Sequence, residues 1–597
     1  MADVDTQRSS DDHTMTDTKP EAASPSAAPA PQVDADTILT GSKLAVVFIA
    51  MLLSVLLVAL DQTCVLYTMF SPCSHQLASS PLPSPRIASD FDSFSLQGWV
   101  ATSFVLAQTV FLLFYGQLLR IFPAKYTLLA AITIFEVGSL VCGLAQGVDS
   151  LIAGRTVSGI GAAGICMSFL SLLAELLTCL IVVSMIQIIS QVTRLEDRPR
   201  LFGLFGAVFG LSSIVGPLIG GAFTDHVSWR WCFYINLPFG GVSLTVVTFL
   251  LKASPPLGSD PAQRTWRHLR DQVLRMDYLG MLLASAFVTC LILALQWGGN
   301  TKPWNDAAVI VTFVLFGVLA IGFVGWEVWL GERAMVPTAI FKSRSIYAII
   351  SYAFLTRFSL LLFSYYIPIF YQAARHHSAT KSGIDLLPFM LGTVLSVIGS
   401  GQIVGRFGRY YPFLVAAPIF LAIGSGLLYT ISASTSSAKI IGFQILAGVG
   451  TGMGMQNSLL AIQVEFKSKA EARLLGQATS MASFGQFLGG TVGLGVAEPV
   501  FASELTKFLA KYAPEAPSVI VKESPTAIYE ALPPAMIPGV VRSYTEALRI
   551  VFVVGVPVAG LALLASLFIK NLKIEKTGPA QEKGDVEKGK TGEENNA

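Results

Sequence analysis

The sequence predicts an all-α membrane protein with many spans, on three observations. Of its 597 residues, 53% are hydrophobic and 13% charged, about half the charged share of an ordinary soluble domain. Mean hydropathy is +0.62, with none of the polar-surfaced domains and linkers that a soluble chain of this length would show. Apolar stretches of about 20 residues, enough to cross a bilayer core, recur from end to end.

Read with that window, spans fall at 44–64, 97–116, 126–146, 151–174, 203–222, 233–251, 277–295, 307–329, 346–370, 384–404, 411–431, 438–462, 473–497 and 546–569. These fourteen return both termini to one side. The connecting loops sort independently by charge. One set holds Arg120/Lys125, Arg194/Arg198/Arg200, Arg264/Arg267/Arg270/Arg275, Arg333/Lys342/Arg344, Arg406/Arg409 and Lys467/Lys469/Arg473, while the alternate short loops hold none or one basic residue each. The positive-inside rule makes the basic set cytoplasmic. Both termini are then expected inside, with one large outward segment over 501–548.

The expected organisation is a disordered tail over 1–43, an N-terminal bundle over 44–251 and a cytoplasmic loop over 252–276. Two further spans follow over 277–329, then a C-terminal bundle over 330–570 and a disordered tail over 571–597. The first tail is rich in Asp, Ser, Thr, Pro and Ala, too polar to bury a core. It lacks the basic start and short apolar run of a cleaved signal. Net charge is +2, which leaves no footprint for nucleic acid. The seven cysteines show no metal-binding spacing, although Cys64 and Cys73 share an outward loop and can pair there. No metal site and no cofactor are expected.

Function classes narrow in the same way. The chain has no TVGYG-like filter and no arginine at every third position, which removes channel and voltage-sensor readings. Walker motifs, histidine clusters and Ser/His/Asp sets are missing from the loops, which argues against ATP-driven transport and enzyme chemistry. A secondary transporter needs helices interrupted by Gly and Pro, and sparse buried charges. Both are present. GLSSIVGPLIGG puts Gly210, Gly216, Pro217, Gly220 and Gly221 in one apolar span, where each interior glycine costs about 1 kcal/mol and a proline about 3.

LIAGRTVSGIGAAG (Leu151–Gly164), GLSSIVGPLIGG (Gly210–Gly221) and SWRWCFYINLPFGG (Ser228–Gly241) follow one another in order. In that order they resemble the motifs of the major facilitator superfamily. The match is to its fourteen-spanner drug:proton antiporter branch, of the fungal toxin and multidrug efflux type. LDQT at Leu60–Thr63, SGIDLLP at Ser382–Pro388 and GVGTGMGMQ at Gly448–Gln456 fit the same branch, and the likeness covers roughly 44–500 and 546–570. It implies a major facilitator fold, in which two six-helix bundles flank a central path and two extra helices sit between them. It also implies alternating access powered by proton entry. In that branch the glycine-proline segment is the antiporter motif, with ordinary tight packing as the other reading.

Arg155 is a charge within a span and so a functional candidate. Asp61 lies near the outer end of the first span, at the same depth. Burial opposes a carboxylate's charge while an adjacent cation supports it, an opposition suited to a protonation switch. Alternatively, Asp61 meets headgroup water and Arg155 snorkels or binds carbonyls. Glu136, mid-span in TIFEVGSL, is a further proton-coupling candidate. Arg357, Tyr365, Tyr366, Phe370, Gln372, Gln456 and Asn457 are candidate liners of a substrate cavity for flat, apolar compounds, with packing or an interfacial belt as the alternative for the aromatics. GQLLRIFPAK (Gly116–Lys125) occupies the superfamily's cytoplasmic loop motif. Arg120 stands where the family has Asp and Pro123 where it has a second Gly, with only Gly116 and Lys125 matching. The family's charge relay does not carry over.

The expected function is proton-coupled export of small, mostly apolar compounds, drugs or secondary-metabolite toxins, by a monomer whose partners are substrate, protons and the bilayer. The plasma membrane is the expected location and the vacuole the alternative. A proton-coupled importer, for example of siderophore-iron, and a transporter-like nutrient sensor are the other readings. Two stretches interrupt the family pattern: about 64–84, which is Ser/Pro-rich, and Glu175–Ser190, which is apolar. The second is expected to lengthen the fourth helix or to lie at the inner interface. Both also read as translated introns. On that reading transcript sequencing finds a message without them; reads running cleanly through both would overturn it.

Overall fold

A chain in hydrocarbon has no water for its peptide groups, so its spans must be helices that satisfy themselves. The computed structural model describes residues 52–61, 97–183, 227–251, 265–299, 302–466, 474–517 and 532–574, with isolated positions between these segments. The first tail, the second tail beyond Ile574, Cys64 and Cys73, the stretch 64–84, Ser184–Ser190, most of the 252–276 loop, and Gly210, Pro217 and Gly221 lie outside the described residues. Residues 571–574, expected to begin the disordered second tail, instead return to the bundle, where Ile574 N donates to the Gly408 carbonyl at 2.9 Å.

The N-terminal bundle contains α1 (Leu52–Asp61), α2 (Gln97–Ile121), α3 (Ala124–Gly143), α4 (Val148–Val183) and α5 (Trp231–Leu250). α4 is one helix of 36 residues and runs into the stretch that begins at Glu175. Between α4 and α5, Leu211, Ser212, Val215, Gly216, Ile219, Gly220, Ala222 and Phe223 are helical. An amphipathic α6 (Trp266–Leu274) leads to the accessory pair, α7 (Tyr278–Trp297) and α8 (Ala307–Leu330). The C-terminal bundle holds α9 (Arg344–Arg375), α10 (Ala379–Asp385), α11 (Leu387–Phe407), α12 (Tyr411–Tyr429), α13 (Ser437–Glu465), α14 (Leu475–Tyr512) and α15 (Ile537–Leu567). Among the described residues, ten helical stretches are long and apolar enough to cross a membrane. One boundary differs from expectation. The segment 501–548 is helical at both ends, because α14 continues to Tyr512 and α15 starts at Ile537. There Ser543 Oγ donates to the Phe508 carbonyl at 3.0 Å, joining the two extensions.

Glycine lets these helices meet backbone to backbone. On α4, Gly154 and Gly161 face α3 while Gly159 faces the Phe104 carbonyl of α2. A Cβ at Gly161 would lie 2.6 Å from the Phe135 Cα, closer than real side chains come. α13, the fourth long helix of the second bundle, repeats the device: Gly448 and Gly452 meet α11, Gly450 meets α12 and Gly454 meets Tyr352 of α9. That explains why a helix with so many glycines is buried over 78% of its apolar window, whereas α8 is buried over 6% of its own and faces outward to lipid.

α7 packs on α2 and also on α14, and α2 packs on α14 directly, so the accessory pair sits at the seam between bundles. One hydrophobic core runs from α2–α4 through α7 and the linker after α8 into α9, α13 and α14; a second fills the rest of the C-terminal bundle. Replacing Gly161 by Val forces α3 and α4 apart, and overpacking of this kind costs about 1–3 kcal/mol. A lower melting temperature of G161V in detergent, by fluorescence-detected size exclusion, checks this.

Candidate functional site

Arg155 sits two turns into α4, on the face that the surrounding glycines bring against α2 and α3. Its guanidinium Nη1 donates to Asp61 Oδ2 at the end of α1, and its Nε donates to the Val100 carbonyl of α2 at 3.2 Å. The guanidinium also lies 4.2 Å from the Phe104 ring centroid and 5.9 Å from that of Phe233. Arg155 is 2% exposed and Asp61 0%. The pair is therefore dry and hydrogen-bonded, not snorkelling, which is the one geometry in which a buried ion pair repays its desolvation.

α5 completes the site. Asn236 Nδ2 lies 3.4 Å from Asp61 Oδ1 and 3.2 Å from Ser139 Oγ of α3, so one amide ties the carboxylate to the third helix. Ser139 is one turn from Glu136, and Gly240 is one turn from Asn236. A Cβ at Gly240 would lie on the Glu136 carboxyl, so that acid is pressed against the bare α5 backbone. Glu136 is 8% exposed, and neither of its oxygens has a hydrogen-bond partner among the described residues. The three sequence candidates thus meet in one buried polar cluster, to which the structure adds Asn236 and Ser139. The glycine-proline segment abuts it: Val215 and Ile219, with Phe223 just beyond, are spaced a turn apart and pack with Leu56, Leu60 and Cys232.

The substrate candidates divide into two levels of α9. Arg357 Nη1 lies 3.4 Å from the Met455 sulfur of α13, with its guanidinium 5.1 Å from the Phe487 ring of α14. Gln456, beside Met455, is 5% exposed and its Oε1 has no partner among the described residues. Asn457 Nδ2 donates to the Met453 carbonyl at 2.7 Å, and Gln486 of α14 donates to the Met455 carbonyl at 3.0 Å. Higher up, Tyr365 and Tyr366 are edge-to-face at 5.2 Å, and Tyr366 continues to Phe501 at 5.7 Å. Tyr366 and Phe370 are core residues of the second bundle, and Gln372 Nε2 donates to Ser382 Oγ at 2.9 Å. Fifteen residues of helix separate Arg357 from Gln372 by about 22 Å. The candidates therefore lie at two depths along the helix.

A polar centre buried between helices, with no loop-borne chemistry beside it, suits movement of a charge or solute through the bundle. The family comparison agrees. The Major Facilitator Superfamily profile matches residues 51–494. The chain belongs to the Major Facilitator Superfamily. It is a membrane transporter, and its relatives are transporters too. It is 36% identical over 545 residues to the "MFS-type efflux pump MFS1" of Trichophyton rubrum, covering 91% of this chain and 94% of that one. It is 36% identical over 537 residues to the "MFS-type transporter astH" of Aspergillus oryzae, covering 89% and 87%. The fold is shared with the proton:xylose symporter XylE, at TM-score 0.53 and 14% identity over 90% of this chain and 98% of that one. It is shared also with the human organic anion transporter MFSD10, at TM-score 0.52 and 13% identity over 89% and 100%.

Several polar residues of this facilitator escaped the sequence reading. Glu327 in GWEVW and Glu498 in VAEPV are acids within apolar spans, the signal that picked out Glu136. Asn236 and Gln486 are neutral amides and send no such signal. Removing one partner of the buried pair strands the other. Arg155→Met is expected to cost about 3–5 kcal/mol, and D61N/R155M to recover part of it. Melting of the single and double variants in detergent makes the comparison.

Proposed function

We propose that this facilitator exports small, mostly apolar organic compounds in exchange for protons, by alternating access. The observation that carries the reading is the buried Asp61–Arg155 pair with Asn236 on its second oxygen and, beside it, a Glu136 with no hydrogen-bond partner among the described residues. Arginine stays charged at all relevant pH values, so only the acids of this cluster can change charge. A proton on Asp61 removes the charge attraction to Arg155 and weakens the hydrogen bonds that Arg155 and Asn236 donate to it, which loosens α1 from α4 and α5 together. Glu136, one turn from the Ser139 that Asn236 also holds, is the second proton acceptor. Burying an uncompensated carboxylate charge is far more costly than burying a neutral acid, so transfer of one proton between two such sites can bias which arrangement of helices is preferred.

Export is supported by the relatives named as efflux pumps, among them the "Efflux pump hmp6" of Hypomyces subiculosus, 35% identical over 548 residues. The aromatic run Tyr365, Tyr366 and Phe501, together with Arg357, Gln456 and Asn457 one level below, suits flat solutes with few polar groups. The glycine-proline segment, packed on the helix that ends in Asp61, would set the direction of exchange. The Arg-rich loops support cytoplasmic termini; a monomer in the plasma membrane is the rest of this proposal.

Everted vesicles test the coupling. Acidified inside, they should accumulate a substrate dye, and a protonophore should discharge it. D61N should abolish gradient-driven accumulation, and E136Q should lower it while leaving substrate-binding affinity close to wild type. Accumulation that ignores both the gradient and D61N would rule out antiport.

A further inference from the structure

The linker Gly331–Ile340, between the accessory pair and the C-terminal bundle, is two 3-10 turns, Gly331–Arg333 and Thr338–Ile340, joined by irregular chain that is buried between the bundles. Ala334 is 0% exposed, Met335 1% and Ile340 0%. Peptide groups in such a place must find partners, and here they are held by side chains from α2, α8 and α14 and from the residue that caps α7. Gln117 of α2 donates to the Arg333 carbonyl at 2.9 Å, and Arg120 of α2 to the Glu332 carbonyl at 3.0 Å. Gln477 of α14 donates to the carbonyls of Ala334 and Met335, both at 3.2 Å. Two of the linker's own N–H groups go to carboxylates, while those of Ala334 and Ile340 close turns within it. Met335 donates to Asp277 Oδ2 at 3.3 Å, just before α7, and Val336 donates to Glu327 Oε2 of α8 at 2.8 Å.

Asp277 is itself held on every side. Its Oδ1 accepts from Gly280 N at 2.7 Å and from Trp326 Nε1 at 2.8 Å, and its backbone N–H donates to Gln117 Oε1 at 3.2 Å. Beside the linker α2 and α14 touch directly: a Cβ at Gly116 would lie 2.7 Å from the Ser480 Cβ. This is the end that carries the basic loops, where the family's acidic loop motif is replaced by Arg120 and Pro123.

We propose that the linker Gly331–Ile340 is a latch through which the accessory helices hold the basic end of the transport path shut, with Gln117, Asp277 and Gln477 as its positioning residues. Gln117 belongs to one bundle and Gln477 to the other. When the bundles part at this end, the linker cannot follow both, so at least one amide releases its carbonyls until water reaches them. The latch gives the accessory helices, of which α8 is buried over only 6% of its apolar window, a part in the cycle. The inference rests on alternating access but not on the substrate, the proton or the direction of transport.

The test reads the gate itself. The full chain carries S480C as a reporter in inside-out vesicles, where a membrane-impermeant maleimide meets the basic end. Ser480 is 1% exposed, so labelling should be slow. Q117M and Q477M remove the amides at nearly constant volume, and each should speed labelling per folded molecule about three- to tenfold, as the loss of one or two hydrogen bonds predicts. D277N, on the accessory side, should act in the same direction. Variants that lower the amount of folded protein but leave the labelling rate unchanged would overturn the latch. Bundle glutamines that act while D277N does not would overturn the role of the accessory pair. If the buried variants fail to reach the membrane, R120M, which alters an exposed side chain, should still give about twofold faster labelling; no change there would also overturn the proposal. Labelling needs neither substrate nor gradient, so a failure of the export reading leaves this result standing.

Discussion

In hydrocarbon no water stands ready for a stranded polar group, so each charge and each non-helical peptide inside the bundle needs a partner in the chain itself. That constraint shapes both polar centres. Arg155 takes Asp61, the Val100 carbonyl and an aromatic face; Asp61 takes Arg155 and Asn236. The linker after α8 takes amides from two bundles and carboxylates from the accessory pair. Because the partners come from different helices, satisfying the polar groups and fixing the helix arrangement are one event. A change of charge or a parting of helices therefore acts on several elements at once.

Close helix contact makes those partners reachable. A guanidinium on α4 reaches a carbonyl on α2 because Gly159 lets the two backbones meet. Glu136 can lie against α5 because Gly240 leaves the space. α13 repeats the arrangement in the second bundle, against α9, α11 and α12, and brings Met455 under Arg357. The helix penalty of glycine is offset in each case by contacts that a bulkier residue would forbid.

Much of this was legible beforehand. Helices need only local apolar length, and Arg155, Asp61 and Glu136 announce themselves because a charge in an apolar run is rare. The depth argument that put Asp61 level with Arg155 also needs nothing beyond counting along two spans. Asn236, Gln117 and Gln477 were not legible, since a neutral amide in a span is unremarkable until its partner is known. Glu327 carried a readable signal, but its partner, the Val336 N–H, sits in a linker whose burial no local pattern reveals. The split of Arg357 from Gln372 was there to be counted on one helix; their separate neighbours on α13 and α10 were not.

By itself the sequence determined the class and the order of motifs that leads to the Major Facilitator Superfamily, because each depends on composition and spacing along the chain. Tertiary structure decided which polar groups meet: Asn236 on Asp61, Glu136 on the bare backbone at Gly240, and the linker between Gln117 and Gln477. Those contacts join residues tens to hundreds of positions apart, and in a low-dielectric interior only such proximity sets what a buried charge costs and what must move when it changes.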